Sequence, residues 1–156
     1  MPNAQTGISR HSGVGHESID GTLGGPLLQF DLGCELDPLH RDESWLHPTG
    51  RSSKTLVKYP DLRIVLIAMK ANTRMQEHTA SGRIPVHSLN GNIRLHLPEQ
   101  VVDLPGGRLL VLDQCVPHDV EATEDSAFPL TLSWPPGKKI VEAKTRRKKT
   151  TRHKRK

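Results

Sequence analysis

Residues 106–134 read GGRLLVLDQCVPHDVEATEDSAFPLTLSW, and the rhythm of this stretch decides the fold class. RLLVL (108–112), DVEAT (119–123) and AFPLTLSW (127–134) are short runs rich in residues that suit a pleated, half-buried surface. Pro105-Gly106-Gly107 and Glu124-Asp125 punctuate them as turns. Strand, turn, strand at this spacing is the pattern of an antiparallel all-β domain.

The same reading extends upstream. KTLVKY begins at Lys54, and LRIVLIAM (62–69) is an apolar run short enough to be a fully buried strand. NIRLHL (92–97) alternates, with Ile93, Leu95 and Leu97 on one face and Arg94 and His96 on the other. QVVDL follows, and Asn90-Gly91-Asn92 and Pro98-Glu99 mark further turns. Seven or eight short strands predict a sandwich or barrel with its core between 54 and 134. Asp37-Pro38 predicts a short N-terminal helix near 38–46, ended by His47-Pro48-Thr49-Gly50. Pro85 lacks the ladder N–H, which predicts an edge position or a bulge there. Trp134-Pro135-Pro136-Gly137 closes the last strand.

A chain of 156 residues suits one domain, here 26–135, and aromatics at 3% leave part of it outside any core. Residues 1–25, rich in Gly and Ser, are expected to be disordered, as is the segment 136–156. The net charge of +5 hides a division. Eleven of the 22 Lys and Arg lie from residue 137 onward with one acid, Glu142, so the other 136 residues carry 11 basic and 16 acidic groups. Lys138, Lys139, Arg146, Arg147, Lys148, Lys149, Arg152, Lys154, Arg155 and Lys156 therefore predict a polyanion contact, to nucleic acid without sequence preference. The tail offers no aromatic for base stacking. No apolar run is long enough for a membrane span or a secretory leader, and Cys34 and Cys115 lack metal or redox spacing. Both facts fit reduced thiols in a cytoplasmic protein.

The segment from Asp61 to Pro135 resembles the small single-domain cupins, a jelly-roll or double-stranded β-helix family. LRIVLIAMKANTRMQEH leads into His78, SLNGNIRLHL carries a turn glycine at Gly91, and Gly107 is followed eleven residues later by His118. The resemblance covers about half the chain. It implies a cupin barrel and a pocket in its mouth for a small molecule, and it raises a homodimer as a state of assembly.

Metal-binding cupins supply His-x-His, a glutamate, and a later histidine. By that alignment His78 and His118 match, whereas Ala80 stands at the second histidine and Ile84 at the glutamate. In an extended chain 78, 80 and 84 face the barrel, Gln76 joins them as an auxiliary oxygen donor, and His87 faces away. Cys115 falls in the turn that borders the pocket, as a packed thiol, and His40 and His96 read as solvated surface residues. Two imidazoles without an anionic donor make a weak site for Fe, Mn, Ni or Zn. The expected function is a small cupin with a degenerate metal site that binds a small ligand without catalysis. The alternatives are a metal-dependent oxygenase or isomerase using His78 and His118, or a protein acting through its basic tail. No Ser-His-Asp order, Walker loop or catalytic carboxylate pair is present.

Overall fold

The computed structural model describes residues 23–135. The expected disorder before residue 23 and the cationic cluster of the tail lie outside the described residues. Two helices, α1 (Leu32–Arg41) and α2 (Glu43–Leu46), precede nine strands. These are β1 (Arg51–Lys58), β2 (Leu62–Met69), β3 (Thr73–His78), β4 (Ile84–His87), β5 (Asn92–His96), β6 (Val101–Pro105), β7 (Leu109–Leu112), β8 (His118–Ala122) and β9 (Ser126–Ser133). They form a five-stranded sheet in the order β1-β2-β9-β4-β7 and a four-stranded sheet in the order β3-β8-β5-β6. Every pairing is antiparallel, so the all-β jelly-roll expectation holds. β3 and β4 bring the count above the seven or eight strands expected.

The continuous apolar run of β2 has a physical explanation: both its faces are buried. Val65, Ile67 and Met69 pack between the sheets with Ile93, Leu95, Val120 and Phe128. Ile64, Leu66 and Ala68 face the helices, where Leu36, Leu39 and Trp45 cover them beside Leu56 of β1. Burying each large side chain contributes roughly 1.5–3 kcal/mol.

The helix begins earlier than the sequence suggested. Asp31 caps α1 by accepting from the Cys34 amide at 3.1 Å, and Pro38 lies inside the helix rather than at its start. Leu36 and Leu39, one turn apart, are both buried on the sheet, so packing carries the helix through the proline. Asp42, accepting from the Ser44 amide at 2.8 Å, ends α1 and caps α2.

Pro85 is neither at an edge nor in a bulge, because β4 runs between β9 and β7. Arg83 and Ser133 exchange both backbone hydrogen bonds at 3.1 Å. By the alternation of an antiparallel ladder, the next bonded pairs would be Pro85 with Thr131 and His87 with Pro129. Both prolines therefore withhold a donor from the same β4–β9 seam.

The strand order gives the barrel two ends. The β2–β3, β4–β5, β6–β7 and β8–β9 connections gather at one. There Gly91 and Gly107 adopt the left-handed conformation, with φ of 71° and 83°. The β1–β2, β3–β4, β5–β6 and β7–β8 connections form the opposite end, the mouth.

Candidate functional site

His78 ends β3 and His118 begins β8, so antiparallel pairing sets them side by side at the mouth. Regular counting from the Met75–Val120 pair would place Glu77 opposite His118. A β-bulge between Met75 and His78 inserts one residue and brings His78 into register instead. The two rings stand 4.4 Å apart between centroids, tilted by 58°. His118 is buried, whereas His78 is exposed.

Each ring is held in the same way. His78 Nδ1 lies 2.8 Å from the Gln76 carbonyl, and His118 Nδ1 lies 2.8 Å from the Val116 carbonyl. A carbonyl only accepts, so each Nδ1 carries the hydrogen and each neutral ring keeps its lone pair on Nε2. Backbone orientation of this kind prepares an imidazole to act as acceptor or ligand. Burial lowers the pKa of His118 below the usual imidazole value. The Val116 carbonyl opposes this, neighbouring His78 lowers it further, and Asp119 opposes.

The other expected pocket residues separate. Ala80 is partly buried and packs against the inner core, and its carbonyl accepts from the Cys115 amide at 2.8 Å. This bond ties the β3–β4 loop to the β7–β8 turn. Residues 79–83 form a loop, so the extended-chain argument that linked 78, 80 and 84 does not describe the path. Ile84 nevertheless lies in the inner core, at 3% exposure. Cys115 is exposed rather than the packed thiol expected, because its turn stands in the left-handed region, with φ of 61°, at the rim of the barrel. Gln76 is a correction: the bulge after Met75 breaks the parity that put its side chain inward. Its side chain is exposed, and its main chain orients His78. His87 is exposed on the other face of β4, as expected.

His40 and His96 are more engaged than solvated residues would be. The His40 ring lies 4.8 Å from that of Trp45. His96 Nε2 lies 2.9 Å from Glu121 on the outer face of the four-stranded sheet. Arg74 grips Asp119 there with two bonds, at 3.0 and 2.6 Å, and Arg94 Nε meets Asp103 at 2.8 Å.

Among the described residues, no group of three His, Cys, Asp or Glu side chains is placed to hold a metal ion. The histidine pair supplies two neutral nitrogen donors, and apolar side chains occupy positions 80 and 84. That donor set fits a loosely held divalent ion and falls short of a tightly bound one. Sequence reasoning missed Arg63 and Lys58, which join the mouth from the five-stranded sheet. The available signal was a charge within LRIVLIAM at the same parity as Val65 and Ile67.

The sequence matches no family model and no curated relative. Solved structures match over much of the described region. A cupin-2 domain containing protein from Shewanella frigidimarina is 13% identical, over 67% of this chain and 93% of that one, with a TM-score of 0.55. A cupin 2 conserved barrel domain protein from Leptotrichia buccalis is 26% identical, over 56% of this chain and 42% of that one, at 0.53. A salicylate 1,2-dioxygenase variant from Pseudoaminobacter salicylatoxidans is 14% identical, over 77% of this chain and 39% of that one, at 0.64.

Proposed function

We propose that this chain, a small cupin by fold, holds a small molecule in its barrel mouth and binds divalent metal only loosely. The observation that carries the reading is the pairing of two pre-oriented imidazoles with apolar side chains at positions 80 and 84. His78 and His118 offer Nε2 acceptors to a ligand hydroxyl or amine, or to an ion. Ala80 and Ile84 turn the rest of the wall apolar, as suits a pocket that buries the body of a small molecule. A divalent ion, when bound, would polarise an oxygen of that ligand. The chain itself would contribute orientation and exclusion of water.

Metal content tests this reading. Wild-type protein dialysed against a mild chelator is expected to retain well under one equivalent of Fe, Mn, Ni or Zn by mass spectrometry. Ala80→His combined with Ile84→Glu should raise affinity by about tenfold or more, ~1.4 kcal/mol per tenfold, because it adds an imidazole and an anionic donor. The metal-free double variant should lose stability, since its carboxylate replaces a core side chain. Adding His118→Ala should remove the gain, whereas adding His87→Ala should not. Tight stoichiometric metal in the wild type would overturn the reading in favour of the oxygenase or isomerase class. Dependence on His87 would show the β4 register to be wrong.

A further inference from the structure

Three observations at the mouth converge on a positively charged locus facing the histidines. Along β2, Leu62, Ile64, Leu66 and Ala68 pack on the helix side, and Val65, Ile67 and Met69 pack between the sheets. Arg63 has the parity of the second set, and its partner on β9, Leu132, also packs against the inner core. The first observation is therefore a guanidinium projecting inward within an apolar strand. Because β2 and β3 are successive and antiparallel, the start of β2 and the end of β3 lie at the same end of the barrel. Arg63 thus shares the mouth with His78 and His118.

The second observation is that Arg63 Nε is buried and donates to no group among the described residues. Buried donors are almost always satisfied, because an unmade hydrogen bond is costly, more so on a charged group. The third is that Lys58 sits directly across from Arg63 in the β1–β2 register. Directly opposed residues share a face, and two like charges so placed destabilise the pairing. Four cations in this fold have local acids, Arg74 with Asp119, Arg83 with Asp113, Arg94 with Asp103 and Lys54 with Glu35, whereas Arg41, Arg51, Lys70 and Arg108 form no ion pair among the described residues. Neither Lys58 nor Arg63 forms an ion pair among the described residues.

We propose that Arg63 and Lys58 form an oxyanion-binding locus opposite His78 and His118, so the small molecule held in the mouth carries a carboxylate or phosphate group. This rests on the reading of the mouth as the ligand pocket and names the chemical class of its ligand. The planar Arg63 fork presents paired N–H donors matched to two oxygens of either group, and Lys58 adds a compact positive charge. The bound anion satisfies the buried Nε and relieves the cross-strand repulsion, while the histidine Nε2 atoms meet the polar groups at the other end of the molecule.

The test titrates isotope-labelled full-length protein with succinate and, separately, inorganic phosphate, against chloride at equal ionic strength. The readouts are the Arg63 Nε–H and the His118 ring resonances by NMR. Anion binding elsewhere on the chain, including its basic tail, leaves these site-specific signals unmoved. At least one oxyanion should shift both signals along a single saturable isotherm. Arg63→Met should weaken the His118 response by about tenfold or more, and Lys58→Met by less, whereas Lys54→Met should leave it unchanged. Arg63→Met should not lower the melting temperature, because it removes an unsatisfied buried donor. Should that variant misfold, Arg63→Lys serves instead, and retained but weakened binding is expected. Stronger saturation by succinate assigns a carboxylate ligand, and by phosphate a phosphate monoester. Unmoved His118 signals with both anions, or full binding by Arg63→Met, would overturn the proposal. A parallel zinc titration separates the two readings. Zinc that shifts the rings when the anions do not overturns only the oxyanion locus; rings that answer to neither overturn the pocket as well.

Discussion

The two ends of the barrel solve opposite problems. At the closed end, most polar groups meet partners within the fold. The Ala71 amide donates to Asp125 Oδ1 at 2.8 Å, the Asn92 amide to Ser126 Oγ at 3.0 Å, and the Asn92 side chain to Thr123 Oγ1 at 2.8 Å. Gly106 and Gly107 return amides to the Gly91 and Ser88 carbonyls at 2.9 and 2.7 Å. The exceptions are the Ser88 hydroxyl and Asn92 Oδ1, both buried without a partner among the described residues. At the mouth, among the described residues, two imidazoles are tethered by one nitrogen only, a guanidinium has an unmade bond, and two cations oppose each other. Satisfied polar groups hold a structure together; unsatisfied ones, kept in place by their surroundings, are what a ligand can complete.

The largest expected effect breaks the closed end. A Cβ on Gly91 would lie 2.3 Å from the Asp125 carbonyl oxygen, and φ there is +71°. Gly91→Ala should cost about 2–4 kcal/mol, from left-handed strain and overpacking together. Urea unfolding measures this cost. A loss below about 1 kcal/mol would mean that the closed end yields as readily as the mouth.

A smaller effect probes the mouth by pH. The folded-state pKa of His118 is lowered, mainly by burial, so the unfolded chain takes up its proton first as the pH falls. The stability gained by keeping this ring neutral is complete above about pH 6.5, the unfolded imidazole value, and is lost below it towards the depressed folded-state value. In chelator, the urea midpoint should decline through this window in the wild type and decline less in His118→Gln. Equal slopes would show that His118 is not the group responsible.

The smallest effect sharpens the contrast at a single turn. Cys115 adopts a left-handed conformation that costs a side chain energy. Cys115→Gly should raise stability by ~0.5–1 kcal/mol in thermal denaturation, without changing metal content. A change in metal content would place the thiol in the site.

Sequence pattern carried the strands because their burial is periodic. NIRLHL has Ile93 and Leu95 fully buried, with Arg94 and His96 on the other face. The two turn glycines were equally legible, since their conformations demand the residue type. What escaped depends on contacts that no local pattern encodes. The bulge that turns Gln76 outward adds one residue between otherwise ordinary neighbours, and Pro38 continues α1 only because Leu36 and Leu39 find the sheet. His78 and His118 were visible as a pair through the resemblance to the cupin motifs, but their common tautomer follows from two carbonyls seen only in three dimensions. Arg63 was overlooked because a lone charge in a buried strand becomes informative only once its partners are known to be missing.

The prolines at 85 and 129 give the barrel a mechanical character of its own. A cylinder stitched evenly resists changes of girth in every direction. This one is clasped at the lip, where Arg83 and Ser133 hold each other and Gly82 lies so close that an added Cβ would stand 2.1 Å from the Ser133 oxygen. Just inside the clasp, two stitches lack a donor. The β4–β9 seam thus carries two fewer main-chain bonds than a regular ladder just inside the lip, and it resists a change of girth less than a fully bonded seam of the same length would.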